Sequence, residues 1–223
     1  MAGDYPAGVT LPTEAMATET LGVSRAAYRE AVQALIAKGL VESRPKAGTR
    51  VLPRERWNLL DPDVLAWAFS REPDQRLIES LFELREIIEP AAAALAAERR
   101  SREDLQRMKS GLALMRRHTL ATEEGRQGDR DFHSALLHAT ANDALIALSA
   151  SIAAAVAWTT VYKQRGRELP RDPLPFHVDV YEAIADGDPE RAREAMHVLV
   201  TGALEDIDLA SAGEHKQVLH AKD

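Results

Sequence analysis

The stretch LPTEAMATETLGVSRAAYREAVQALIAKGLVESRPKAGTRVL, residues 11–52, runs through two helical patterns, a glycine-marked turn and a hairpin without interruption. Thr13 offers a side-chain oxygen to the unpaired amides of a first turn, which predicts a short helix through Thr20 that Gly22 ends. Ser24 opens a second helix. Its apolar residues Ala27, Ala31, Ala34, Leu35 and Ile36 keep mostly to one stripe, and Lys38-Gly39 supplies a basic last turn and a stop. Leu40-Val41-Glu42-Ser43 and Thr49-Arg50-Val51-Leu52 read as two short strands joined by the turn-rich Arg44-Pro45-Lys46-Ala47-Gly48. The order helix, tight turn, helix, hairpin is that of a winged helix-turn-helix.

In that arrangement the start of the second helix approaches bases and phosphates, where small or hydrogen-bonding residues are needed. Ser24, Arg25 and Arg29 occupy it, and the two arginines, four apart, share a face from which each can reach a guanine edge or a phosphate oxygen. Arg44, Lys46 and Gly48 would lie along the backbone or minor groove as a wing. An isolated pair of arginines more often only solvates a helix face, so the surrounding pattern carries the reading. Net charge is −7, but residues 1–58 carry eight Lys/Arg against six Asp/Glu, net +2, which leaves −9 for the remainder. A mildly basic head is thus joined to an acidic body.

Outward from the hairpin, Pro53 begins a connector containing Trp57, Leu59 and Leu60, and Asp61-Pro62 signals a short helix with Asp as cap and Pro in the first position. Helical patterns then fill 74–100, 102–124, 127–140, 142–164, 173–187 and 189–210, with no alternating strand pattern between them. The expected fold is mainly α: a small winged helix-turn-helix over 1–54, a connector over 55–73, an all-α antiparallel bundle over 74–213 and a disordered tail over 214–223. Aromatics are only 5% of the chain, which favours helices packed on Ala and Leu. The absence of cysteine excludes disulfides, thiolate zinc sites and cysteine nucleophiles and fits a reducing cytoplasm. Apolar runs such as 135–148 and 152–161 are too short and too interrupted to span a bilayer, and the N-terminus has no signal-peptide pattern.

In the bundle, Asp129 and His133 stand four apart on one helix, so a carboxylate and an imidazole share a face, a spacing suited to a divalent metal or an acidic ligand. His177 opens a later helix whose first turn can meet the same point if the helices run antiparallel. For Asp129 and His133 alone, a surface ion pair would be the commoner explanation.

Two resemblances add to this reading. Leu11-Pro12-Thr13-Glu14, Leu21-Gly22-Val23-Ser24-Arg25, Arg29-Glu30-Ala31, Leu35, Gly39-Leu40-Val41 and Gly48-Thr49 together resemble the winged helix of the GntR family. The resemblance implies a DNA-binding surface of Thr13, Ser24, Arg25, Arg29, Arg44, Lys46, Gly48 and Thr49. Two departures stand out: the first helix of that fold is expected to be missing, and Ala15 replaces a customary arginine. Leu84-Arg85-Glu86-Ile87-Ile88-Glu89-Pro90, the segment 129–133, Asn142, and His177 with Ala183-Ile184, Gly187-Asp188 and Ala192 resemble the all-helical effector domain, called FCD, of the FadR subfamily. That resemblance implies Asp129, His133 and His177 as ligands of zinc or another divalent cation, Arg85 as a clamp on a ligand carboxylate, and Glu89 and Asn142 as further ligand-binding residues. A third histidine of the subfamily falls where this chain has Leu199. His197 is two residues short, and two residues turn a helix by roughly 200°.

The connector Arg56-Trp57-Asn58-Leu59-Leu60-Asp61-Pro62-Asp63-Val64-Leu65-Ala66-Trp67 is similar to that of sugar-acid regulators of the subfamily, those of galactonate operons among them. The resemblance implies a non-enzymatic, cytoplasmic regulator, with repression the expected sense. It would bind a palindromic operator as a homodimer and leave it when an aldonate or a 2-keto-3-deoxy acid occupies a metal site. Two other classes stay open on the residues alone: a metal-dependent hydrolase or lyase using Asp129, His133 and His177, and a structural dimerisation bundle.

Overall fold

Thr13 accepts a hydrogen bond from the Met16 amide and so caps α1 (Glu14–Leu21), and Ser24 caps α2 (Arg25–Ala37) through the Ala27 amide. Between them Gly22 adopts φ +65°, a left-handed conformation that a side chain would resist. The wing follows as β1 (Val41–Arg44) and β2 (Gly48–Val51), antiparallel with Val41 opposite Val51 and Arg44 opposite Gly48. These elements lie in the first of two units of the computed structural model, which divides after Glu72. It describes residues 4–164 and 171–220, with side chains followed to residue 207. Among the described residues none before Glu14 is helical.

The connector expected over 55–73 belongs physically to this first unit. Leu40, Val41, Val51 and Val64 form its buried core, and Leu35, Ile36, Trp57 and Leu59 pack around them. Trp57 Nε1 donates to the Leu52 carbonyl at 2.8 Å, and Lys38 Nζ reaches Asp61 at 2.8 Å and Asp63 at 2.9 Å. Gly39, at φ +71°, lies so close to the connector that a β-carbon there would stand 2.3 Å from the Arg56 carbonyl oxygen. The short helix α3 (Pro62–Phe69) is capped by Asp61, as its Asp-Pro start implies.

The second unit is all helical: α4 (Gln75–Arg99), α5 (Arg102–His118), α6 (Glu123–Ala139), α7 (Asp143–Ala147), α8 (Ser149–Lys163), α9 (Leu174–Asp186) and α10 (Pro189–His220). Phe82, Met108, Phe132, Leu136, Ile152, Ile184 and Met196 are completely buried and form its core. α6 packs against α4, α5 and α8, and α10 packs against α4 and α9, so residues on α4, α6, α8, α9 and α10 can face one interior point. Gly111 and Gly128 let α5 and α6 approach backbone to backbone; a β-carbon on Gly111 would lie 2.7 Å from the Gly128 carbonyl oxygen.

Three boundaries differ from the sequence expectation. The helix expected over 102–124 stops at His118, because Thr119 turns to φ +55° and Thr122 caps the next helix at the Gly125 amide. The helix expected over 142–164 divides at Leu148 into α7 and α8. The backbone of α10 continues to His220, past residue 214 where a disordered tail was expected; Ala, Glu, Lys and Gln are good helix formers, and no proline interrupts them. Residues 221–223 of that expected tail lie outside the described residues.

Candidate metal centre and nucleic-acid interface

In the second unit, α6 carries Asp129 and His133 one turn apart, and α9 supplies His177 in its first turn. All three are nearly fully buried, and one donor atom from each lies within 4.8 Å of the others. His177 Nδ1 is 2.8 Å from the Pro173 carbonyl, which can only accept, so the ring's lone pair sits on Nε2. That nitrogen faces Asp129 Oδ1 at 3.0 Å without forming a hydrogen bond. His133 Nδ1 approaches Glu89 Oε2 at 2.5 Å, a charge contact whose angle falls outside hydrogen-bond geometry. The carboxylate still favours a proton on Nδ1, because a lone pair there would be repelled. His133 Nε2 is then left facing Asp129 Oδ1 at 3.6 Å.

Three electron-pair donors therefore converge with nothing positive between them, an arrangement that a cation relieves. Donors placed tetrahedrally about 2.0–2.2 Å from zinc stand roughly 3.3–3.5 Å from one another, close to the separations found here. Both imidazoles are braced from behind, one by a backbone carbonyl and one by a carboxylate, which is how metal-ligating histidines are oriented. Phe132 closes the same corner, edge-on to His177 at 5.2 Å between ring centroids.

Glu89 is the brace and does not line the cavity. Its Oε1 accepts from Arg85 Nε at 2.6 Å while its other oxygen meets His133. Burial alone pushes the Glu89 carboxyl up, but the Arg85 charge, with the His133 ring beside it, outweighs it and holds it at about 2. Arg85 is buried against the Phe82 ring and lines the cavity beside Asp129, His133 and His177.

Asn142, expected at the ligand, is elsewhere: its Oδ1 accepts from the Ala144 and Leu145 amides and caps α7, which commits the side chain to the backbone. It does not line the cavity. His197 is half exposed and 3.7 Å from Glu86, while Leu199 lines the cavity. The structure also brings in Lys163, Arg171 and Asp206, which the sequence analysis passed over. Lys163 is buried at the end of α8; burial, with the Arg85 charge, pushes its ammonium down to about 8 against the opposing pull of Asp129 and Asp206. A lone lysine closing the apolar run of 152–161 was the one available signal. The cavity measures about 30 Å³, room for two or three waters.

In the first unit, a groove of about 500 Å³ is lined by Thr13, Arg29, Lys46, Gly48 and Thr49, so five of the eight residues expected at DNA share one surface. Ser24, Arg25 and Arg44 do not line it. Arg29 forks onto Glu14 with bonds of 2.8 and 3.1 Å, and Arg25 stands 3.9 Å from the same carboxylate. The Arg29 bond and charge hold the Glu14 carboxyl below its usual range. Arg44 pairs with Glu42, and Lys46 turns the hairpin at φ +64°.

Among the described residues no helix is long and apolar enough to cross a membrane. Residues 1–51 match the family described as bacterial regulatory proteins, gntR family, and residues 80–202 match the FCD domain. The galactonate operon transcriptional repressor of Escherichia coli (strain K12) is 34% identical over 90% of this chain and 88% of its own. The transcriptional regulator LutR of Bacillus subtilis (strain 168) is 30% identical over 92% and 94%. A solved GntR structure from Streptococcus agalactiae superposes with a TM-score of 0.50 at 27% identity, covering 89% of this chain and 90% of that one. These relatives are transcription regulators and not enzymes, and this chain belongs to the GntR family of DNA-binding transcription regulators, with an FCD domain following its winged helix.

Proposed function

We propose that the chain is a metal-dependent, acid-responsive repressor of a sugar-acid catabolic operon, acting in the cytoplasm as a homodimer on a palindromic operator. The observation that carries the sensing half is the convergence of Asp129 Oδ1, His133 Nε2 and His177 Nε2, with both imidazoles held from behind by Glu89 and Pro173. A zinc or similar divalent ion held there would supply an open coordination position to the carboxylate and hydroxyl oxygens of a hydroxy acid. Arg85, fixed by Glu89, directs its remaining guanidinium N–H groups at the acid's carboxylate. The names of relatives that regulate galactonate and Uxu operons support the sugar-acid class.

For the DNA half, α2 is the recognition helix. Ser24 at its start and the exposed Arg25 and Arg29 meet base edges and phosphates, while Thr13, Arg44, Lys46, Gly48 and Thr49 follow the backbone. One helix-turn-helix per chain reads a two-fold operator only as a dimer. A sugar acid is larger than the 30 Å³ cavity, so its entry moves the walls formed by α8, α9 and α10. That movement is the two-state element through which the acid weakens operator binding, with a coupling of about 1–3 kcal/mol expected for ordinary allostery.

The test is metal analysis by mass spectrometry on the purified protein and on the Asp129→Ala, His133→Ala double variant, then operator binding with a panel of sugar acids. Near-stoichiometric metal in the first and none in the second, with operator release by an acid only when metal is present, is the expected result. Equal metal content in both, or an operator affinity that no metal and acid changes, overturns the reading.

A further inference from the structure

We infer that the acid recognised in this cavity carries a second anionic group, and that Lys163 is the residue that selects for it. The inference rests on the metal-and-acid reading above and narrows its ligand class.

Lys163 is only 5% exposed and lines the same cavity as Arg85, Asp129 and His177. Its neighbours are already matched: Arg85 by Glu89 at 2.6 Å, and Arg171 by Asp206 at 2.9 Å. Asp129 is claimed by the two imidazoles and the cation they would hold. Among the described residues Lys163 forms no ion pair. A buried charge is tolerated best when something answers it, and Asp129 and Asp206, the carboxylates whose charge reaches Lys163, are already engaged by the imidazoles and by Arg171.

Charge balance then states what must enter. Arg85 with Glu89 and Arg171 with Asp206 cancel pairwise, Glu205, which also meets Arg171, is mostly in solvent and screened there, the histidines are neutral as ligands, and a divalent ion against Asp129 leaves one positive charge. Lys163 adds a second. A monoanionic acid answers one of them and leaves a desolvated ammonium beside it. An acid with a chelating carboxylate at one end and a carboxylate or phosphate at the other answers both, through charge-assisted hydrogen bonds among largely buried groups. Thr160, one turn before Lys163 on α8, lines the same wall and adds a hydroxyl beside that second group.

The experiment is calorimetric titration of the metal-loaded full chain with a six-carbon aldonate, the matching aldarate and the matching aldonate 6-phosphate, repeated on Lys163→Met and Lys163→Arg. Thermal unfolding of each protein confirms that the variants are folded. The wild type is expected to bind the aldarate or the phosphate at least about tenfold more tightly than the aldonate. Lys163→Met loses roughly 30-fold or more in affinity for the dianion and with it the preference, and Lys163→Arg keeps it. Which dianion binds identifies the second group as carboxylate or phosphate. Equal affinity for all three acids in the wild type, a preference that survives Lys163→Met, or metal loading with binding of none of the acids overturns the inference and leaves the metal site standing. Failure to hold metal at all instead overturns the reading on which it rests.

Discussion

Arg25 and Arg29 on α2 keep 75% and 69% of their side-chain surface exposed, whereas Arg85 on α4 keeps 4%. Each is next to a glutamate, and the pairs do different work. Glu14 holds the α2 arginines in water, where an ion pair is weak and screened and a phosphate competes with it on equal terms. Glu89 holds Arg85 where little solvent reaches the pair, so the pair persists and its second oxygen is free to set the tautomer of His133. One unit sets a carboxylate against arginines in solvent and the other buries it as a fixed brace.

Removing each carboxylate in turn breaks the comparison most directly. Glu89→Ala leaves Arg85 and His133 facing an empty, buried space and is expected to destabilise the second unit by about 3–5 kcal/mol in denaturant unfolding. Glu14→Ala should leave the unfolding midpoint unchanged. The same brace predicts an acid limb. The Glu89 carboxyl titrates at about 2 in the folded chain against 4.5 when unfolded, so its stabilisation is complete above pH about 4.5 and is lost as pH falls toward about 2. Glu89→Gln should flatten that limb in a pH series of unfolding free energies, and an unchanged limb would show that other carboxylates carry it.

Lys163 sharpens the comparison from the opposite side, as a buried charge that forms no ion pair among the described residues. Its pKa is lowered by burial from 10.5 to about 8, so the folded state gives up its proton first. The resulting penalty is full below pH about 8 and fades as pH rises toward 10.5. Lys163→Met is therefore expected to stabilise the ligand-free protein at pH 7 by about 1–3 kcal/mol, read as a higher Tm, and to lose that advantage above pH 10.5. The smallest effects belong to the exposed arginines. Arg25→Ala and Arg29→Ala should each weaken operator binding and reduce its salt slope by about one, with the Tm unaltered. A salt slope unchanged in both variants would remove α2 from the interface.

Much of the first unit was legible along the chain because its signals are local. Thr13, Ser24 and Asp61 are caps that act within three residues, and Gly22 and Gly39 take the left-handed conformations that end their helices. The site in the second unit was legible only in part. Asp129 and His133 could be paired from helical spacing alone, and His177 joined them through the family pattern. Glu89 stands behind His133 and Asn142 caps α7 away from the cavity, which spacing could not show, because a carboxylate that braces and one that binds have the same spacing, and an asparagine that caps reads like one that contacts a ligand. Lys163, Arg171 and Asp206 gave almost no signal, since their roles depend on how α8 and α10 close over α6.

By itself the sequence determined the helical bundle, the winged head, the charge asymmetry between them and the pairing of Asp129 with His133 on one helix face. Each of those follows from periodicity, capping chemistry or side-chain type, which neighbouring residues express without help from distant ones. Tertiary structure alone decided which carboxylate meets the two imidazole donors and which stands behind them, that His197 turns outward while Leu199 faces in, and that Lys163 is buried beside them with no ion pair among the described residues. The physical reason is that desolvation and charge pairing arise only where helices far apart in sequence exclude water from a common space.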